Sequence, residues 1–298
     1  MSVARRSARA WSAIALTTAI ALGATAAPAE ASAPAVPNGQ PPQYLALGAS
    51  ASVGFQPTAA HPQGRPTRKG YADALVISVR ARWPGLVLTT LGCPGASTTT
   101  VLDGGGHCRY PGGSELAAAV RFLHRHRTTR LITVDLGFND IGRCLHHLVV
   151  DEQCVIRGLG KVRRQLPTIV QDLRAVAGPG TVIVGVGHYD PYLAMMAEGP
   201  AGRRFADRSL LAITQLDQTL GAIYKRFGVP MARVLGTFES TDSNRITVGA
   251  SRTPVNVERI CQWTWMCSPR PFGPNVHPNS RGYRAIAEAI SAVLPPPP

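Results

Sequence analysis

The sequence predicts an α/β protein with a central parallel sheet of about five strands and helices on both faces. Three observations carry this. Apolar, β-rich runs alternate with stretches of helical period along most of the chain. The strand candidates read as near-continuous hydrophobic runs, the pattern of strands covered on both faces. No internal repeat or low-complexity linker follows Pro42, so one domain over residues 43–298 is expected.

Taken in order, Tyr44–Gly48 reads as a short buried strand that breaks just before Ser50. Residues 71–83 carry apolar side chains at helical spacing (Ala72, Leu75, Val76, Val79), and residues 86–91 follow as a strand. A helix over 116–126 gathers Leu116, Val120 and Leu123 on one face, and 131–136 is the third strand. Residues 155–177 form a long amphipathic stretch with a break expected near Pro167. A strand over 181–186, a helix over 209–227 and a strand over 231–235 come next. The last helix, 281–293, ends before four prolines that cannot continue it.

Residues 1–31 are read as a secretory signal peptide. Arg5, Arg6 and Arg9 precede an apolar run from Trp11 to Ala26, and small residues around Ala29-Glu30-Ala31 offer a cleavage site. A Pro/Ala-rich segment, 32–42, separates it from the domain. Without the signal, 28 basic and 16 acidic residues remain, a balance of +12. Such a charge favours contact with an anionic envelope surface. Nucleic acid is not expected, since no basic cluster is interleaved with aromatics. Cys93, Cys108, Cys144, Cys154, Cys261 and Cys267 make an even count, which in an exported chain reads as a disulfide framework. Sequence alone does not select the pairing. If neighbours pair, three short loops arise, each beside one of the segments discussed next. Metal binding is not expected, because no Cys-x-x-Cys pair occurs.

Four segments carry chemistry. Gly48-Ala49-Ser50 follows the first strand, and Cys93-Pro94-Gly95-Ala96-Ser97-Thr98-Thr99 the second. Gly137-Phe138-Asn139-Asp140 follows the third, and Val276-His277-Pro278-Asn279 precedes the last helix. In parallel sheets ligands bind beyond the carboxyl ends of strands, so Ser50, Gly95 and Asn139 converge on one rim. A serine hydroxyl needs a neighbouring base, and histidine titrates near working pH. The backbone N–H groups of Ser50 and Gly95 and the Asn139 amide are suited to stabilise an oxyanion. These are the parts of an acyl-transfer site.

In these blocks the chain resembles the SGNH hydrolases, also called GDSL-type lipases and esterases, over nearly the whole of the expected mature chain, from Tyr44 to Ile290. Leu47-Gly48-Ala49-Ser50 with Gly54, Leu91-Gly92-Cys93-Pro94-Gly95, Asp135-Leu136-Gly137-Phe138-Asn139-Asp140 and Val276-His277-Pro278-Asn279 with Gly282-Tyr283 carry the likeness. The cysteines and Trp263-Thr264-Trp265 are similar to secreted actinobacterial members. The resemblance implies a three-layer, flavodoxin-like α/β/α fold and carboxylic ester hydrolysis without a cofactor. Ser50 would be the nucleophile and His277 the general base.

Two positions depart from the family pattern. Ala49 stands where an aspartate is usual, and Pro274 where the family places the aspartate that orients the histidine. A Ser–His dyad supported by a backbone carbonyl, that of Pro274, is therefore expected. Asp190, Glu239 and Asp242 are distant candidates for a carboxylate, each expected on a solvated loop. Asp140 is expected to cap the following turn. Trp263, Trp265, Met266 and Phe272 either wall an acyl pocket or pack the Cys261–Cys267 loop. The expected substrate is a small-molecule or lipid ester and the expected protein a secreted monomer. Alternatives are a polysaccharide or envelope O-deacetylase and a catalytically impaired ligand-binding relative.

Overall fold

The first strand, β1 (Gln43–Gly48), is buried along its whole length, and its residues alternate between two apolar clusters. Leu45 and Leu47 point into one, Tyr44 and Ala46 into the other, so the strand is covered on both faces as its unbroken apolar run requires. A computed structural model describes residues 39–296 of the chain, which form one compact unit. The expected signal peptide lies outside the described residues, as does all of the 32–42 segment up to residue 38.

Four more strands join β1: β2 (Val87–Thr90), β3 (Thr129–Asp135), β4 (Val182–Val186) and β5 (Met231–Ala232). All pairings are parallel, in the order β2-β1-β3-β4-β5. This is the doubly wound order whose switch point lies between β1 and β3. Gly48 stands level with Asp135 across that pair.

One face is covered by α3 (Glu115–Arg125), α5 (Glu152–Val176) and α6 (Gly199–Arg226), and the other by α1 (Tyr71–Ser78) and α8 (Ser280–Ala292). Short helices α2 (Thr98–Asp103) and α4 (Phe138–Gly142) begin just beyond β2 and β3, and α7 (Val255–Trp263) precedes the histidine segment.

Two expectations change. The helix over Pro167 is not interrupted: α5 runs through it for 25 residues. Leu166, Ile169 and Val170 are fully buried around the proline, so tertiary packing outweighs the lost backbone bond. Helix α6 starts ten residues before the expected Ser209, because Gly199-Pro200 opens a helix instead of breaking one. The fifth strand keeps only two of its expected residues.

The six cysteines pair as neighbours, Cys93–Cys108, Cys144–Cys154 and Cys261–Cys267. The first leaves the loop after β2, the second closes a hairpin (Leu145–His146 with Val149–Val150) after α4, and the third braces the end of α7.

Candidate active site

Ser50 opens a 3-10 turn, Ser50–Val53, immediately beyond β1. Gly48 adopts φ +120° there, and a β-carbon on it would strike the Asp135 carbonyl, so only glycine brings the chain this close to β3. Gly95, at φ +79°, has open space where a side chain would stand, which leaves its N–H approachable from the cleft. Asn139 lies in the first turn of α4 and donates from Nδ2 to the Ala96 carbonyl at 2.9 Å. One bond thus ties the second and third blocks together. Asp140 adds two more, accepting from Thr98 N at 3.0 Å and Thr98 Oγ1 at 2.7 Å. Its carboxylate therefore braces the start of α2 in addition to any role in its own turn.

His277 sits on Asn275–Pro278, a short strand paired with Thr264–Trp265. Its Nε2 lies 2.9 Å from Ser50 Oγ. On the other side Nδ1 lies 2.7 Å from Asn275 Oδ1. The same oxygen accepts the His277 backbone N–H at 3.1 Å, and Asn275 Nδ2 faces the Gln63 carbonyl at 3.4 Å. The backbone N–H on one side of the amide and the Gln63 carbonyl on the other set its orientation, so its oxygen faces the ring. Nδ1 then carries the proton, and Nε2 is free to accept from Ser50. The expected Pro274 carbonyl does not hold the ring; the next residue's side chain does. Asn275 lacks the charge of a carboxylate but has the reach of one.

None of the three distant carboxylates reaches His277. Asp190 is fully buried, contrary to the solvated loop expected for it. It accepts from Ser209 Oγ at 2.7 Å and from Tyr192 N at 2.9 Å, and burial pushes its carboxyl up to about 7. Glu239 pairs with Arg259, Nε to Oε2 being 2.7 Å, and Asp242 accepts from Asn244 N.

Burial pushes the His277 imidazole down to about 4, and the Phe55 ring lies 4.6 Å from it, centroid to centroid. At neutral pH the ring is therefore uncharged, the form a general base needs. Glu115, at the start of α3, is buried and pushed up to about 8, with Oε1 accepting from Gly48 N at 2.6 Å.

Ser50, Gly95, Asn139 and His277 line one cleft of about 230 Å³. Its apolar walls include Phe55, Phe138, Pro191 and Val276. Trp263, Trp265, Met266 and Phe272 are not among its lining residues. Trp263 meets Phe238 edge-on at 5.1 Å, and Met266 is buried in the core beside the Cys261–Cys267 loop.

The sequence reading missed His188 and Tyr189, which follow β4 and also line the cleft. Tyr189 donates its hydroxyl proton to the Val276 carbonyl at 2.6 Å, pinning the segment that carries His277. The strand-end rule that located Ser50, Gly95 and Asn139 applies equally to the residues after β4, so the signal for them was present. Near the cleft, His107 Nε2 lies 3.5 Å from Cys93 Sγ, but that sulfur is bonded to Cys108 and offers no thiolate for a metal.

Residues 46–285 match the GDSL-like Lipase/Acylhydrolase family, and the chain belongs to it. It is by that membership an ester hydrolase. No curated protein matches the sequence. Among solved structures it is similar to an extracellular lipase from Streptomyces rimosus, at 18% identity and TM-score 0.56, covering 85% of this chain and 100% of that one. A phospholipase A1 from Streptomyces albidoflavus NA297 matches at 18% and 0.55, covering 86% and 100%. A lipase from goat rumen metagenome matches at 15% and 0.53, covering 85% and 97%. At these identities the likeness establishes the α/β/α fold.

Proposed function

We propose that this chain is a secreted serine hydrolase of carboxylic esters, acting through a Ser50 acyl-enzyme. The observation that carries the reading is the 2.9 Å approach of Ser50 Oγ to an uncharged His277 whose other nitrogen is already held. In the first half-reaction Ser50 Oγ attacks the ester carbonyl carbon and its proton passes to His277 Nε2. The tetrahedral oxyanion accepts hydrogen bonds from the N–H groups of Ser50 and Gly95 and from Asn139 Nδ2. Collapse breaks the C–O bond, and His277 returns the proton to the departing alcohol. In the second half-reaction water attacks the acyl carbon with His277 again as base, releasing the acid and restoring Ser50.

The support at His277 is a neutral amide, so the imidazolium formed in the transition state is stabilised less than beside a carboxylate. Moderate turnover follows. The apolar walls around Ser50 suit the acyl chain of a lipid or small ester better than the hydroxyl-rich surface of a polysaccharide. The Ser50–His277 pair speaks against a ligand-binding relative without activity.

Export rests on the signal-like residues 1–31 and on the three disulfides, which persist in oxidising compartments. The mature protein is a monomer beginning close to residue 32, and its positive charge favours retention at an anionic envelope. Intact mass of the protein recovered from culture medium tests the start site.

A panel of nitrophenyl esters from acetyl to palmitoyl, hydrolysed by wild type and Ser50→Ala, tests the activity. Loss of all acyl-dependent turnover in the variant is expected, and the chain-length optimum separates esterase from lipase. Equal rates for the two proteins reject the reading.

A further inference from the structure

The nucleophile turn lacks a cap of its own. Ala49 is the N-cap residue of Ser50–Val53 and has no side chain with which to accept a hydrogen bond from the turn. At such a position Asp, Asn, Ser or Thr ordinarily binds the free N–H two or three residues on. Here that N–H, on Ser52, points instead at Asp135 Oδ2, 3.2 Å away at the end of β3. Asp135 also accepts the Ala49 N–H through its backbone carbonyl at 2.9 Å. One residue of the neighbouring strand thus grips the turn on both sides of Ser50.

The carboxylate is held in turn. Asp135 is 2% exposed, and its other oxygen faces His188 Nδ1 at 3.7 Å. His188 Nε2 donates to the Leu136 carbonyl at 2.9 Å, so both ring nitrogens face oxygen acceptors on consecutive residues of one strand end. The other ionisable groups around Asp135 are Glu115, Tyr71, Tyr189, Tyr224 and Tyr283, and Asp217 faces His188. None of them is a cation; burial raises the Asp135 carboxyl, and the neighbouring His188 is the first influence that opposes the rise.

We infer that Asp135 is a positioning residue: held by His188, it caps the nucleophile turn from the adjacent strand and sets the place of Ser50 Oγ, a task Ala49 leaves undone. The inference rests on the proposed role of Ser50, because it assigns a function to the geometry of that side chain. A turn that loses this cap places Oγ less consistently against His277. The loss falls on turnover and leaves substrate binding largely intact.

Four proteins test it: wild type, Asp135→Ala, Asp135→Asn and the double variant Ala49→Asp/Asp135→Ala, each assayed for kcat and KM on nitrophenyl butyrate and for thermal unfolding. Asp135→Ala is expected to lower kcat at least ~10-fold with KM within about threefold of wild type. Asp135→Asn keeps an acceptor, and asparagine caps about as well as aspartate, so its kcat stays within about threefold. Aspartate placed at position 49 supplies the cap from within the turn, and the double variant recovers most of the loss. A folded Asp135→Ala with kcat within twofold of wild type overturns the inference, as does a double variant that recovers nothing. Should Asp135→Ala not fold, the double variant decides: folded and active it upholds the role, unfolded it overturns it. If wild type hydrolyses no ester, the reading of Ser50 has failed instead. The capping claim is then judged separately by whether Ala49→Asp restores the melting temperature lost with Asp135→Ala.

Discussion

Asn275 Oδ1 accepts two hydrogen bonds from one residue, from the Nδ1–H of His277 at 2.7 Å and from its backbone N–H at 3.1 Å. The amide fixes the histidine's tautomer without adding a charge. This separates two tasks that a carboxylate in a triad performs together, orientation of the ring and stabilisation of the imidazolium.

Replacing Asn275 by Ala removes the orientation and brings nothing in return. We expect kcat to fall roughly 10²-fold, within the range a positioned general base contributes. Steady-state kinetics on a soluble nitrophenyl ester measures it, and a change under twofold means the ring is held by other contacts.

The acid limb of activity follows from the burial of His277. Its folded-state pKa is lowered to about 4, so the ring is neutral and active above that pH. Activity is then lost as pH falls through about 4. In Asn275→Asp a carboxylate favours the charged ring, and the limb should move upward. Profiles of kcat/KM against pH for the two proteins check both the position and the direction of the shift.

Asn139→Ala removes one proposed oxyanion donor and the bond to Ala96. A decrease in kcat of roughly 10²–10³ is expected, the usual cost of one such donor. A kcat within twofold of wild type would take Asn139 out of the site.

Glu115 gives stability a pH dependence of the opposite sense to a salt-bridged carboxylate. Burial raises its folded pKa from 4.5 to about 8, so the folded state holds the proton more tightly than the unfolded state. Its contribution is fully present below the unfolded value and is lost as pH rises through about 8. Glu115→Gln should therefore flatten the decline of melting temperature over that window. Parallel declines in the two proteins would show that other groups govern it.

Closing the 15-residue separation between Cys93 and Cys108 contributes about 3 kcal/mol by the loop-entropy relation. The double serine variant should lose about that much in denaturant unfolding. Its esterase activity should fall as well, because Cys93 lies two residues from Gly95 and its N–H bonds the Gly48 carbonyl at 2.9 Å.

Much of the site was legible because it is written in strand ends. Ser50, Gly95 and Asn139 each follow an apolar run, and parallel topology brings such positions to one rim whatever their separation in sequence. His277 was found by its motif alone. Its support lies one residue from where it is expected: the missing charge at position 274 points to a backbone carbonyl, whereas hydrogen-bond reach is what matters, and the uncharged Asn275 side chain has it. Asp190 departs from its expected solvated loop for a related reason. An aspartate beside a proline looks like a solvated turn, yet this one caps the buried turn Pro191–Ala197 and bonds Ser209 on α6. Long-range partners of that kind leave no local pattern. Pro167 and Gly199-Pro200 misled the helix boundaries because packing against the sheet outweighs local propensity.

The most direct test of the account is the kcat of Ser50→Ala and of His277→Ala on a soluble ester, each compared with wild type in one assay. With Ser50 as nucleophile and His277 as its base, each variant should lose at least ~10⁴-fold, and the double variant should be little worse than either single one. Turnover by Ser50→Ala within tenfold of wild type, or losses that multiply in the double variant, would contradict it.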